Sequence, residues 1–202
     1  MIHNAKDVID PSRSSSDKDS VKKIVLLLIF LVSTSASAGT LVELGGTYMS
    51  DNLSTSEAKK SSKYFYNVGV LFSLKKHIWG GWNYSGISHT DSGDEELSFA
   101  SQDTGPYLKW QFGRNELYSL GAAYNILSRA SYKSGSDTET WQGTSFWLQF
   151  AVAPEVREGF HIGASLNYYL ASYTKKTVDN VESSTSNSKS WIFPMLMLTK
   201  EW

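Results

Sequence analysis

Beyond residue 38 the chain repeats one pattern. Runs of about ten residues alternate apolar side chains with small or polar ones, and the connections between runs are by turns long and short. A period of two is the mark of a β-strand with two unlike faces. Thr40, Val42, Leu44, Gly46 and Tyr48 share one face of the first run, with Glu43 and Thr47 on the other. Similar runs follow at residues 64–74, 78–86, 106–112, 118–126, 146–152 and 160–170, and a last one occupies residues 190–202. Short connections fall at residues 75–77, 113–115 and 154–159; long stretches rich in Ser, Thr, Asp and Lys fall at residues 51–62, 89–103, 129–143 and 172–189.

The last run closes the scheme. It is apolar, strand-length, and stops on Trp202 at the very end of the sequence, where a water-soluble domain is usually polar and frayed. Paired with the first run, near residues 40–50, it leaves a sheet without a free edge, the one kind of sheet a bilayer tolerates. The expectation is an all-β fold, an eight-stranded antiparallel up-and-down transmembrane β-barrel, with both termini on the short-turn side.

Charge placement separates this from a soluble sandwich or a lipocalin-like barrel, which also alternate but keep their apolar face inside. Within the runs Glu43 and Lys109 fall on the small, polar phase, and the apolar phase is free of charge until Lys200 near the end. A charge facing lipid at mid-bilayer costs roughly 2 to 4 kcal/mol. Lys200 can snorkel to the headgroups beside Trp202. Gly, Ser, Asn and Gln make a poor soluble surface and a good wet lumen. The chain has 11 Tyr and 7 Trp, and many, such as Tyr48, Trp82, Trp110 and Tyr124, stand near strand ends on the outward phase, where aromatic girdles belong.

The N-terminus reads as an export signal. Lys22–Lys23, the apolar run of residues 24–32 and the Ala36-Ser37-Ala38 exit form the n-region, h-region and A-x-A site of a signal peptide spanning residues 21–38, cut after Ala38. Residues 1–20 are polar and precede the position where such a signal starts, so translation from Val21 is expected and the segment is read as non-structural. Residues 39–202 form the barrel domain. The absence of cysteine excludes a disulfide framework and thiolate metal sites. A net charge of −1 speaks against a nucleic-acid partner.

On these features the sequence resembles the small eight-stranded outer-membrane β-barrel proteins of Gram-negative bacteria, the OmpA/OmpX type. The resemblance covers nearly all of residues 39–202 and is architectural, so it implies fold and an outer-membrane location more than activity. In that family the last strand and its terminal aromatic are read by the barrel-assembly machinery; Leu196, Leu198 and Trp202 are implied as that signal. Pro194 departs from the pattern because it lacks a ladder donor, and a bulge beside it is expected.

An eight-stranded barrel is just wide enough for side chains to fill. Its expected polar lumen network comprises Glu43, Asn67, Lys109, Gln111, Gln149, His161 and Asn167, with Glu43 and Lys109 paired and aromatic residues such as Tyr107, Trp147 and Tyr169 as bulk. Relatives of this architecture that modify lipid A use Ser and His at the outer rim; His89 lies there, among loop hydroxyls that occur anyway, and no enzyme is expected. No phosphate loop, zinc spacing or calcium loop occurs, and the acidic residues 91–96 read as solvated. No cofactor is expected. Partners are outer-membrane lipid and lipopolysaccharide, touched by loop lysines such as Lys59, Lys60, Lys63, Lys133, Lys175 and Lys176, and the chain is expected to be a monomer. The role expected is structural or surface-interacting through four long loops; the alternative is a narrow channel for small or apolar solutes.

Overall fold

The computed structural model describes residues 39–53, 59–92, 97–135 and 137–202. The signal-peptide reading, with Ala36 and Ala38, and most of the acidic stretch 91–96 lie outside the described residues. The strands are β1 (Thr40–Leu53), β2 (Lys59–Lys75), β3 (Ile78–Ser92), β4 (Leu97–Phe112), β5 (Tyr118–Ser134), β6 (Asp137–Val152), β7 (Glu155–Arg157), β8 (Phe160–Val178) and β9 (Val181–Glu201). Each long strand pairs antiparallel with the next along the chain, β6 with β8, and β9 with β1, so eight strands close a ring. The short β7 is a three-residue addition inside the connection at residues 154–159, paired only to the start of β8.

Register follows from the two-faced pattern, because a slip of one residue would carry every polar side chain to the lipid face. Glu43 stands opposite Gly69, and Lys109 opposite both Trp79 and Gly121. Leu71, Asn83, Tyr107, Trp147 and Asn167 are buried inside, while Trp82, Trp110, Leu166 and Leu196 are exposed outside. The alternation shifts phase in β5. At Ile126 and Leu127 successive residues both face outward, the ladder to β6 skips from Asn125 to Ser128, and Ser128 and Ala130 turn inward beyond it. A bulge re-aims the rest of the strand in this way.

Much of what reads as loop is strand. β4 starts at Leu97, β5 runs to Ser134, and β8 and β9 meet at the two-residue turn Asp179–Asn180. Both turn residues have positive φ, 49° and 65°, which suits a type I′ hairpin and residues that tolerate the left-handed region. In these extensions the outward face is mostly polar and the inward face buries only a few apolar residues, Phe99, Ala130 and Tyr173 among them, so hydrophobic alternation weakens while backbone pairing continues.

Pro194 needs no bulge. It stays in register opposite Leu166 of β8, and the β1–β9 ladder ends below it, at Gly46↔Leu196. The irregularity expected beside it lies instead at Tyr173 and Lys175. The missing donor therefore breaks no bond to β1. The seam itself is short: β1 pairs with β2 along its whole length but with β9 only from Leu41 to Gly46, finished by reciprocal backbone bonds between Thr40 and Trp202 of 3.3 and 3.0 Å.

Candidate functional site

The lumen is filled in layers, and one layer toward the short-turn side holds a buried ion pair. Glu43 from β1 and Lys109 from β4, 0% and 2% exposed, meet through Glu43 Oε2 and Lys109 Nζ. Glu43 Oε1 accepts from Tyr107 Oη at 3.1 Å, Gln149 Nε2 at 3.2 Å and Asn67 Nδ2 at 3.3 Å. A buried ion pair repays its desolvation only when the remaining lone pairs are also met, and these three donors meet them. Glycines make the room: a Cβ on Gly121 would sit 2.6 Å from Tyr107 Oη.

The next layers are amide and aromatic. Trp147 Nε1 donates to Asn167 Oδ1 at 3.1 Å, and Asn167 Nδ2 reaches Ser165 Oγ at 2.9 Å. Phe65 packs against Phe193, Trp147 and Tyr169, with ring centroids 4.7, 5.8 and 6.3 Å away. Among them lies a group that sequence reasoning missed. Asp103, read as the end of a loop, is 1% exposed and accepts from Tyr169 Oη at 2.8 Å and Ser101 Oγ at 3.3 Å, while its Oδ1 has no protein partner. Its phase, shared with Tyr107 and Lys109, was the available signal.

The outer rim, above the belt of exposed aromatics, gathers Ser61, His89, Asp91 and Lys189. His89 Nε2 lies 2.9 Å from Asp91 Oδ1 and 3.4 Å from Ser61 Oγ; its Nδ1 lies 2.8 Å from Lys189 Nζ. Burial first, and then the Lys189 ammonium, push the imidazole below its ordinary range. Burial, then Lys63, also lowers the Lys189 ammonium. A hydrolytic triad needs the serine and the carboxylate on opposite ring nitrogens. Here they share Nε2, and Nδ1 is engaged by the ammonium, so no lone pair is left to take a proton from Ser61.

At the inner mouth Gln111 accepts from Trp79 Nε1 and donates to Glu201. His161 turns Nε2 toward Glu201 Oε1 at 3.6 Å and sets Nδ1 3.3 Å from the Ala153 carbonyl. The structure thus gathers Glu43, Asn67, Lys109, Gln149 and Asn167 with the aromatics in the lumen body, and puts Gln111 and His161 at its inner end. Leu196 and Trp202 are exposed on the outer face and Leu198 is half-buried there. Lys200 Nζ reaches the Glu158 carbonyl at 2.9 Å and lies 5.5 Å from the Trp202 ring.

No protein-family model and no curated protein sequence matches the chain. Among solved structures, Neisserial surface protein A (NspA) is similar at 11% identity, with 81% of this chain and 97% of that one covered and a TM-score of 0.52. The translocator domain of the autotransporter NalP from Neisseria meningitidis aligns at 12% identity over 94% of this chain and 71% of that one, with a TM-score of 0.42. At these identities a likeness speaks for fold alone. With the ring of eight strands, the charged lumen and the apolar outer face, it makes the chain an eight-stranded antiparallel transmembrane β-barrel that resembles the small outer-membrane barrels of Gram-negative bacteria.

Proposed function

We propose that the protein is a plugged outer-membrane barrel, a structural and surface-interaction protein whose hairpins above the membrane make its contacts. The observation that carries this reading is the lumen: the Glu43–Lys109 pair, its ring of donors and the Phe65–Trp147–Phe193 cluster stack across the bore with their side chains almost wholly buried. The strands continue well past the belt, giving β8 19 residues and β9 21, and the extensions carry ionic contacts such as Lys175–Glu182 at 2.8 Å and Lys176–Glu139 at 3.1 Å. Lys60, Lys63 and Lys133 on the same extensions are suited to phosphates of lipopolysaccharide. Leu196, Leu198 and Trp202 serve as the assembly signal, and the rim geometry at His89 supports a non-enzymatic role.

The test is solute flux through liposomes carrying the protein, with insertion verified by heat-modifiable migration on gels. Graded polar and apolar small solutes should not cross faster than in protein-free liposomes. Flux that stops at a size threshold would replace this reading with the narrow channel.

A further inference from the structure

The inner mouth holds a second constellation that the plug does not use. Glu116, in the turn after β4, His161 at the start of β8 and Glu201 at the end of β9 each offer one ligand atom, and these atoms lie within 4.8 Å of one another. Together with His77 they line a cavity of about 370 Å³. Among the described residues no lysine or arginine pairs with Glu116 or Glu201; their ionic neighbours are His77 and His161.

The geometry suits a cation better than a hydrogen bond. At 3.6 Å, His161 Nε2 and Glu201 Oε1 are too far apart to share a proton well. Two ligands about 2.1 Å from a tetrahedral ion stand about 3.4 Å apart. Each of the three side chains also has a hydrogen-bonding neighbour; for Glu201 it is Gln111, which donates to Oε1, the oxygen that faces His161. His161 Nδ1–H donates to the Ala153 carbonyl at 3.3 Å, which leaves the Nε2 lone pair aimed into the cavity. Gln111 Nε2 donates to Glu201 and is itself anchored by Trp79 Nε1. His77 Nδ1 donates to Glu116 Oε1 at 2.6 Å. Outer partners of this kind fix tautomer and orientation in metal sites. An imidazole beside two carboxylates favours a borderline transition-metal ion over calcium or magnesium, which take oxygen donors.

We propose that Glu116, His161 and Glu201 form a divalent metal site of the Zn²⁺ class, with water in the fourth position and His77 as the positioning residue. The ion joins the β4–β5 turn, the β8 start and the C-terminal end of β9 into one rigid inner mouth. Glu155, which lines the same cavity, is engaged by the Gly159 N–H at 2.8 Å and stays outside the set.

The test is calorimetric titration of Zn²⁺ into the chelator-washed full chain in detergent, with Co²⁺ absorption as a second readout. About one equivalent should bind with micromolar affinity or better, and Co²⁺ should show the strong visible bands of a tetrahedral site. His161→Gln and Glu201→Gln should each weaken binding at least about 10-fold. His77→Ala should weaken it about 10- to 100-fold at unchanged stoichiometry, and His77→Gln, which keeps an N–H donor, should recover part of the loss. No binding by folded protein, or binding that His161→Gln leaves intact, overturns the site. Should His161→Gln lose the heat-modifiable fold, Glu116→Gln on the turn decides by the same criterion.

Discussion

At the scale of single residues the lumen is governed by what each charge meets. Lys109→Met alone strands the Glu43 carboxylate among donors that cannot neutralise it, and should cost about 3 to 5 kcal/mol. Adding Glu43→Gln should return most of that loss, because the amide still accepts from Tyr107 and Asn67. Thermal unfolding of the two variants measures the difference, and equal losses would refute the coupling. At the rim, folding depresses the His89 pKa, so the unfolded chain takes up the proton first. The contribution is full above the ordinary histidine pKa of about 6.5 and is lost as pH falls below it. Lys63 and Lys189 oppose the new charge and Asp91 partly offsets it. Proteolysis of the β3–β4 hairpin should therefore quicken between pH 7.5 and 5.5, and His89→Asn should flatten that response.

Elements explain what the sequence conveys and what it hides. Phase alone carries Glu43, Lys109 and Tyr107 to the inside, since all three stand on the side of their runs opposite Leu44, Leu108 and Trp110. The same rule reaches Asp103 only when β4 is known to begin at Leu97. Hydrophobic periodicity does not report that, because from Ser98 to Gln102 the inward phase carries one apolar residue, Phe99, beside the polar Ser101, and the outward phase is Ser98, Ala100 and Gln102. The inner-mouth cluster was hidden for another reason: Glu116 owes its place to a turn with φ of 56°, and nothing in the sequence places a turn residue beside Glu201. The Asp179–Asn180 turn was legible in principle, as a pair suited to positive φ between two β-branched residues, Val178 and Val181. Asn180→Val should cost about 1 to 2 kcal/mol locally by forcing a branched side chain into the left-handed region, whereas Asn180→Gly should not. Hydrogen exchange across Lys175–Glu182 reads the difference.

For the molecule as a whole, closure is uneven, and the bilayer has to answer for it. Six residues of β1 pair with β9; at a rise of about 3.3 Å and a tilt of about 40° they supply about 15 Å of height, against an apolar band of about 25 Å. Lipid hydrocarbon does not tolerate bare backbone polar groups. Beside this seam the outer leaflet is expected to dip toward Gly46 and Leu196, and to keep its thickness against β4 and β5. A nitroxide at Tyr48 should accordingly collide more with a water-soluble nickel relaxant than one at Tyr124 across the barrel. The barrel would then carry its own shoreline, low on the side where its two ends meet.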